Sequence, residues 1–482
     1  MRKSCLTAVV TVLLMSLLAL SSVYGQKESL ASKPEVAAAI AVFDAWVQQT
    51  VTDREQPGLS VGLVYDQDLI WAKGYGYADL SKKAPATPAT AYRIASLTKL
   101  FTATAILQLR DAGQLQLDDP VAKYAPWFQL NDSYGDGPVI TIRHLLTHTS
   151  GIPRELKGLY WDDMKFPDHE AFMRLVRESE AILPRETEFK YSNVAYALLG
   201  DIVSNVSGET YAEYVAAHIL KPLGMMGTEV MPRKDMSTLA TGYKFRKPDQ
   251  PREIEPFLDL NALSSAGNMA STVEDLAKFL SLQFREGPAG GAQILKGSTL
   301  SEMHRIHWLD TNWQSGRGLG WGLSRIDDRA RIEHSGYVNG HTTFISACPA
   351  EKFGVIILAN ANDGKPWTYA EQAWSIVAPA IVKATAVPEA PTVADESLKK
   401  YTGKYVWSDG SLSEVMLLNG ELAIVDPQSD NPWTDRARLK PVTDGVFKLE
   451  NGWQKGELIR FEADSLGEIN RMVWPGYAAQ KL

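Results

Sequence analysis

Residues 92–99 read Tyr92-Arg93-Ile94-Ala95-Ser96-Leu97-Thr98-Lys99 and place a serine and a lysine three positions apart. Apolar, helix-forming residues follow, so the sequence predicts a helix from about Ser96 to Ala112, stopped by Gly113. Positions i and i+3 share one face of a helix, which brings the Lys99 amine towards the Ser96 hydroxyl. The helix N-terminus adds positive potential and free N–H groups that suit an oxyanion. The alternative is that Ser96 caps the helix and Lys99 is a solvated charge.

Two other serines compete for the role of nucleophile. Gly58-Leu59-Ser60-Val61-Gly62 matches the G-x-S-x-G pattern, which requires a turn from strand to helix. Ser60 instead lies within an alternating strand. Ser397 and Lys400 repeat the S-x-x-K spacing, but they lie beside a linker and before strands, where nothing orients the serine. The context therefore favours Ser96.

Two later segments supply side chains that a serine nucleophile needs. Tyr191-Ser192-Asn193 opens an apolar helix, and His334-Ser335-Gly336 ends a predicted strand that leads into Tyr337. With Ser96 and Lys99, they resemble the three ordered motifs of the serine β-lactamase and penicillin-binding protein superfamily, namely S-x-x-K, Y-x-N and K-T-G or H-x-G. The resemblance covers about residues 35–380, and it extends to Leu145-Leu146-Thr147-His148-Thr149-Ser150-Gly151-Ile152.

The resemblance implies an α+β fold, with an antiparallel sheet flanked by helices and a mostly helical subregion. It implies an acyl-enzyme on Ser96, with Lys99 and Tyr191 as the other catalytic residues and no metal or cofactor. The substrate-binding residues that it implies are Asn193, His334, Ser335 and Gly336. The backbone N–H groups of Ser96 and Tyr337 would form an oxyanion hole, in which each donor contributes roughly 3 kcal/mol.

The general base is open between Lys99 and Tyr191. A free tyrosine has a pKa near 10, and we expect the positive charge of Lys99 and of protonated His334 to lower it. If cationic His334 anchors a substrate carboxylate, affinity should fall as the pH rises through the histidine pKa, which is near 6.5 when unperturbed.

The substrate is also open. Class C β-lactamases carry Lys-Thr-Gly where this chain has His334-Ser335-Gly336, and the histidine is more similar to that of certain DD-carboxypeptidases and D-aminopeptidases. The resemblance therefore implies a peptidase, an amidase or an esterase. A class C-like β-lactamase and a non-catalytic penicillin-binding sensor or scaffold are the alternatives. The expected partner is a small molecule or a peptide, including a peptidoglycan-derived peptide or a β-lactam.

The N-terminus predicts export. Arg2 and Lys3 precede an apolar run and small residues that end at Gly25, the pattern of a secretory signal peptide. The run is too short to favour a membrane anchor, so we expect a secreted or periplasmic protein without a membrane span after processing. Cleavage takes the formal net charge from −8 to −10, which argues against a nucleic-acid partner.

Composition excludes other classes of site. The two cysteines, Cys5 and Cys348, permit no disulfide framework and no multi-cysteine zinc site. His304 and His307 lack a third metal ligand and are interpreted as surface or packing residues.

The domain organisation follows from pattern changes along the chain. We expect a signal peptide at 1–25, a hydrolase domain at 26–383, a linker at 384–396 and a small antiparallel β-barrel at 397–482. Within the hydrolase domain, helices are predicted at 34–50 and 368–382, with strands at 58–78, 319–326, 330–333, 342–348 and 354–360.

Overall fold

The computed structural model describes residues 29–482 apart from 136, 160, 162–164, 289–290, 387–395 and 453. The predicted signal peptide and most of the predicted linker lie outside the described residues. The chain divides into two compact units between Ala384 and Thr385. In the described part of the chain, no helix has the length and apolar character needed to cross a membrane.

The first unit is built on a nine-stranded antiparallel sheet. Its order is β3-β2-β1-β11-β10-β9-β8-β7-β6, and β4 pairs with β5 apart from it. The strands are β1 (Gly58–Tyr65), β2 (Asp68–Asp79), β3 (Ala84–Pro85), β4 (Tyr92–Arg93), β5 (Ala270–Ser271), β6 (Trp308–Leu309), β7 (Ser315–Arg317), β8 (Gly322–Ile326), β9 (Arg329–Val338), β10 (His341–Cys348) and β11 (Phe353–Ala359).

Helices cover both faces of this sheet, which is why β1 is buried along nearly its whole length. The helices of the first unit are α1 (Pro34–Asp53), α2 (Thr98–Asp111), α3 (Val121–Tyr124), α4 (Ile142–Thr147), α5 (His169–Arg177), α6 (Asn193–Ser207), α7 (Tyr211–Val215), α8 (Lys221–Leu223), α9 (Ser264–Gly267), α10 (Val273–Leu282), α11 (Gly297–Met303), α12 (Pro366–Ile376) and α13 (Ala378–Thr385). The described residues of this unit also form 3-10 turns at Leu30–Ser32, Ala95–Leu97 and Asn261–Leu263 and a π-helical turn at Ala216–Leu220.

The two faces of the sheet carry separate hydrophobic cores. One packs α1, α12 and α13 on the sheet, and α1 contributes Val36, Ile40, Phe43, Val47 and Val51 at steps of three or four residues. The other core surrounds α2, which is buried at every position from Thr98 to Leu107. A helix buried on all sides holds its side chains firmly, and α2 is the helix that carries Lys99.

The strand that carries His334-Ser335-Gly336 extends further than predicted. We expected His334-Ser335-Gly336 to end a strand, but these residues lie inside β9, which continues to Val338. A tight turn at Asn339-Gly340 then reverses the chain into β10, with Gly340 at φ 86° and Val338 opposite His341. Asn-Gly is a strong hairpin signal, and it marks this boundary correctly where hydrophobic alternation did not.

The second unit is a closed barrel in which each strand pairs with the next and the last pairs with the first. It follows a 3-10 turn at Glu396–Tyr401, includes a short helix, α14 (Pro432–Asp435), and has a core of its own. Its strands are β12 (Gly403–Trp407), β13 (Leu412–Leu418), β14 (Glu421–Val425), β15 (Ala437–Thr443), β16 (Val446–Leu449), β17 (Leu458–Ala463), β18 (Ile469–Trp474) and β19 (Tyr477–Lys481).

Short runs separated by turn residues predict six of these strands, at 401–407, 413–418, 421–425, 446–450, 457–463 and 468–474. The pattern missed β15 and β19. β15 contains Pro441, which cannot donate a ladder hydrogen bond, and its pairing with β16 shifts between Pro441 and Thr443. β19 (Tyr-Ala-Ala-Gln-Lys) lacks the β-branched residues that mark most strands.

Candidate active site

Ser96 lies in a 3-10 turn directly before the α-helix, which begins at Thr98 rather than at Ser96 as predicted. The preceding residue, Ala95, has φ 49°, a left-handed conformation that costs a non-glycine residue roughly 1–2 kcal/mol. The carbonyl of Ile94 receives the N–H of Leu97 at 3.1 Å and the hydroxyl of Thr343 at 3.1 Å. These bonds fix the turn that carries Ser96 against β10.

Lys99 is fully buried, and its amine faces three acceptors. Nζ lies 3.3 Å from Ser96 Oγ, 2.8 Å from Asn193 Oδ1 and 2.6 Å from the carbonyl oxygen of Ala266. Burial lowers the pKa of Lys99 to about 7, although the Glu155 carboxylate opposes that shift. Near neutral pH both the ammonium and the free amine are therefore populated.

The Tyr191 hydroxyl donates to Ser96 Oγ at 2.8 Å. We expected nearby cations to lower its pKa, but burial raises the pKa of Tyr191 to about 12, and the charge of Arg154 offsets this only in part. Desolvation disfavours the phenolate more than the neighbouring charges stabilise it. Tyr191 is therefore a neutral donor at physiological pH.

Asn193 connects Lys99 to a carboxylate that sequence reasoning missed. While Oδ1 receives the Lys99 amine, Nδ2 donates to Glu155 Oε1 at 2.5 Å. The same Glu155 oxygen accepts the indole N–H of Trp161 at 3.1 Å and lies 3.5 Å from Arg154 Nε. Arg154 and Glu155 follow the 145–152 stretch almost directly, but a loop has no periodicity from which to predict contacts.

Two cavities flank the serine. The first has a volume of about 160 Å³, and its lining includes Ser96, Asn193, Tyr337, Arg154 and Trp161 together with apolar Leu260 and Leu263. The second has a volume of about 200 Å³, and its lining includes Tyr191, His334, Ser335, His148 and Arg317. Ser96 and Asn193 thus line the first cavity, and Tyr191, His334 and Ser335 line the second, while the hydrogen bond from Tyr191 to Ser96 joins the two sets.

Gly336 lies where β9 passes closest to the serine turn. A Cβ atom at this position would lie 2.2 Å from Thr343 Oγ1, 2.4 Å from the carbonyl oxygen of Ile94 and 3.2 Å from the Ala95 Cβ. Only glycine permits this approach. The role of Gly336 is therefore to let the strand lie against the turn.

His334 donates from Nδ1 to the carbonyl of Ser335 at 2.7 Å. Burial, with the charges of Lys99 and Arg317, lowers the pKa of His334 to about 4. The imidazole is therefore neutral at pH 7, and the expected loss of its charge near pH 6.5 moves to about pH 4. The Arg317 guanidinium, packed 3.9 Å from the centre of the Phe189 ring, is the permanent cation of this cavity.

The other candidates lie outside this arrangement. Ser60 is fully buried in β1 and bonds the Thr87 carbonyl at 2.8 Å and the Tyr92 hydroxyl at 2.9 Å, as its strand context predicts. His304 contacts Gln283 at 3.1 Å and packs on Trp321. Among the described residues, no three metal-ligating side chains converge.

Comparison with known proteins places this site in a family. The family model described as Beta-lactamase matches residues 43–378, which contain all three motifs. Protein flp of Staphylococcus aureus (strain MW2) is 33% identical over 321 residues, 66% of this chain and 63% of that protein. This chain therefore spans less than two thirds of the length of that relative.

Solved structures share the fold. A penicillin-binding protein homologue from Pyrococcus abyssi, described as octameric, is 26% identical with a TM-score of 0.63, over 92% of this chain and all of that one. A beta-lactamase/D-alanine carboxypeptidase from Yersinia pestis is 24% identical with a TM-score of 0.59, over 71% of this chain and 99% of that one. The α+β prediction is thereby confirmed. Because the family model spans more than half of the sequence, the chain belongs to the Beta-lactamase family.

Proposed function

We propose that the protein is a serine hydrolase that forms an acyl-enzyme on Ser96. The observation that carries this proposal is the position of Ser96 Oγ, which has the Tyr191 hydroxyl at 2.8 Å and the Lys99 amine at 3.3 Å. A serine hydroxyl becomes an effective nucleophile only when a base removes its proton. Here two groups capable of proton transfer contact the same oxygen, between two cavities that can hold the two halves of a substrate.

Lys99 is the group better suited to accept the serine proton. Its pKa of about 7 leaves a substantial fraction of free amine, whereas the pKa of Tyr191 of about 12 leaves almost no phenolate. The free amine takes the proton from Ser96 as Oγ attacks the substrate carbonyl carbon. Tyr191, a neutral donor, then protonates the departing amine or alcohol and regains a proton from the Lys99 ammonium.

Hydrolysis of the acyl-enzyme ester uses the same groups. Water attacks the acyl carbonyl carbon and gives one proton to the Lys99 amine, and that proton returns to Ser96 Oγ as the carbon–oxygen bond breaks. The acid is released and the serine hydroxyl is restored. We assign the oxyanion hole to the N–H groups of Ser96 and Tyr337, because both residues line the cavity beside the attacking oxygen.

The two cavities favour a substrate that is uncharged on its acyl side and anionic on its leaving side. The acyl cavity, of about 160 Å³, is lined by Leu260 and Leu263 and by Arg154, which lies 3.5 Å from the Glu155 carboxylate that balances its charge. This volume suits an uncharged group about the size of benzene. The leaving-group cavity holds the Arg317 guanidinium, the neutral His334 and the Glu333 carboxyl group, whose pKa is raised by burial. A short N-acylated peptide or amide with a free C-terminal carboxylate matches both cavities, so we favour a DD-carboxypeptidase-like peptidase, with esters as simpler substrates. A D-aminopeptidase-like activity is the second candidate, since its substrate would bring an ammonium group into the acyl cavity.

The test compares wild type with Ser96→Ala on a D-Ala-D-Ala peptide, a D-Ala p-nitroanilide, a p-nitrophenyl ester and nitrocefin. Turnover should fall at least about 10³-fold on every hydrolysed substrate, and mass spectrometry should locate the acyl group on the peptide that contains Ser96. Ser397→Ala, the matched S-x-x-K control, should retain activity. Equal turnover by Ser96→Ala would refute the nucleophile assignment, and fastest turnover of nitrocefin would identify a class C-like β-lactamase instead.

Export is a separate proposal. Residues 1–25 have the basic start, apolar run and small-residue end of a secretory signal, so we propose a secreted or periplasmic protein. N-terminal sequencing of the protein from its native source should begin at Gln26. A mature chain that begins at Met1 would contradict cleavage.

A further inference from the structure

His148 occupies a strained position beside the catalytic tyrosine. It ends helix α4 with φ 60° and ψ 36°, a left-handed conformation, and its side chain is buried. Non-glycine residues adopt this conformation uncommonly, although asparagine, aspartate and histidine do so more often than the rest, and residues held in it concentrate at functional sites and turns. The mechanism above makes no use of His148.

The residue holds the backbone on both sides of Tyr191. The N–H of Lys190 donates to the His148 carbonyl at 2.8 Å, and the N–H of Ser192 donates to His148 Nδ1 at 3.1 Å. The imidazole also lies against the Tyr191 ring, with centroids 4.4 Å apart and planes at 30°. One residue therefore contacts the backbone N–H groups of both neighbours of Tyr191 and the Tyr191 ring between them.

Other aromatic residues restrain the His148 imidazole. Its ring lies 4.9 Å from the Tyr196 ring, and the Tyr196 hydroxyl donates to the Leu146 carbonyl at 2.9 Å. Phe189 meets its edge at 5.8 Å. The imidazole is thus packed between Tyr191 and Tyr196.

The bond from Ser192 requires an unprotonated Nδ1, which places the ring proton on Nε2. Burial holds the pKa of His148 well below its usual value, and the positive charges of Lys99, Arg317 and Arg154 act in the same direction. The acceptor therefore persists through the pH range in which Lys99 titrates.

We propose that His148 is a positioning residue that holds the Tyr191 hydroxyl at hydrogen-bond distance from Ser96. The effect on turnover rests on the proposed function. The placement of Tyr191 does not, because it is a statement about geometry. A displacement of about 1 Å in a catalytic group can cost on the order of 10²-fold in rate.

Two substitutions distinguish the effect of the His148 side chain from the effect of its left-handed backbone conformation. His148→Gly keeps the left-handed conformation but removes the acceptor and the ring. His148→Asn also tolerates that conformation and restores an acceptor oxygen near the place of Nδ1. The fold should survive both, because the segments are also joined by the Glu186 N–H to the Thr149 carbonyl at 2.9 Å and the Ile182 N–H to the Gly151 carbonyl at 3.0 Å.

The expected result is a fall in kcat of about 10²-fold for His148→Gly, with KM within about threefold of wild type, and recovery of at least tenfold by His148→Asn. In a Tyr191→Phe background, His148→Gly should cost less than threefold, because its effect passes through the Tyr191 hydroxyl. An unchanged kcat for folded His148→Gly, or the same loss in both backgrounds, would overturn the proposal.

Crystal structures of the two variants measure the position of the Tyr191 side chain without relying on turnover. The distance from Tyr191 Oη to Ser96 Oγ should exceed 3.5 Å in His148→Gly and remain near 2.8 Å in His148→Asn. Tyr191 unmoved in His148→Gly would overturn the proposal even for an inactive protein. If the wild-type protein shows no turnover that depends on Ser96, the proposed function is wrong. The distance from Tyr191 Oη to Ser96 Oγ in the two variants would then still test whether His148 positions Tyr191.

Discussion

The Lys99 amine combines two states in one place. As an ammonium it can give one hydrogen each to Ser96, Asn193 and Ala266, so that its charge is fully hydrogen-bonded although no water reaches it. As a free amine it can receive the proton of Ser96. Burial makes the two states nearly equal in free energy close to neutral pH.

The titration of Lys99 predicts the pH dependence of acylation. Because the free amine is the active form, kcat/KM should rise about tenfold per pH unit below pH 7 and level off above it. Stopped-flow acylation with a p-nitrophenyl ester between pH 5 and 9 measures this limb. Lys99→Arg, which stays cationic, should lose at least about 10³-fold in rate at every pH. A flat profile across this range would contradict Lys99 as the base.

Arg317 predicts how the protein discriminates between leaving groups. Arg317→Gln should raise KM roughly 10- to 100-fold for a peptide with a free C-terminal carboxylate, because a charged hydrogen bond contributes about 1.5–3 kcal/mol. KM for the same peptide with an amidated C-terminus should change less than threefold. His334→Gln serves as the comparison, since the neutral imidazole carries no charge to lose at pH 7. Equal changes in KM for both peptides would contradict an anchoring role.

At the scale of elements, the site depends on how β9 lies against the serine turn. Gly336 lets the strand approach the carbonyl of Ile94, and Thr343 on β10 bonds the same carbonyl at 3.1 Å. The strained Ala95 is held between these contacts and the buried helix α2. The sheet and the helix together therefore set the position of the nucleophile.

Gly336→Ala tests this packing. Its methyl group would meet a backbone carbonyl at 2.4 Å, so the strand must move, and we expect a loss of stability of about 1–3 kcal/mol and a fall in kcat. Urea unfolding and ester hydrolysis measure the two effects. Gly287→Ala is the control, because, its two chain neighbours aside, none of the described residues has an atom within 4 Å of a Cβ there. Wild-type stability and rate for Gly336→Ala would show that the turn is not held by this contact.

Sequence patterns predicted the helices, the strands and the motif residues well, but they did not predict which distant residues surround the site. The apolar positions of α1 recur at helical spacing, and Ser96, Lys99 and Tyr191 belong to motifs with a fixed order. Periodicity and motif order were therefore enough to predict the fold class and the two side chains that contact Ser96. Glu155 and Arg317 reach the site from loop and strand-end positions, which only the tertiary fold brings near. The direction of the Tyr191 pKa also depends on burial, and no local pattern encodes it.

At the scale of the whole molecule, the chain contains two units with separate cores. In the second unit, β19 pairs with both β18 and β12 and so completes the barrel. Completion leaves every strand hydrogen-bonded on both sides. Loss of β19 would therefore leave β18 and β12 each with one unpaired edge, as loss of any other strand would leave its two neighbours.

Deletion of residues 477–482 should prevent the second unit from folding and leave the first unit folded. Calorimetry of the full chain should resolve two transitions, and the deletion should remove one of them, because open barrel edges and an exposed core destabilise the remaining strands. Tyr477→Ala, at an exposed position of the same strand, should leave both transitions in place. Retention of both transitions by the deletion would show that β19 is dispensable.

The pairing of β1 with β11 has a consequence for synthesis of the chain. Leu59 lies opposite Ala359, and β11 also joins β1 to β10, so the central part of the sheet remains incomplete until residue 359 has left the ribosome. Until then β1, apolar on both faces, has a free edge on the side that β11 will occupy. Free apolar edges recruit strands from other chains. Translation products that stop before β11 should therefore aggregate, whereas products that stop after α13 should fold.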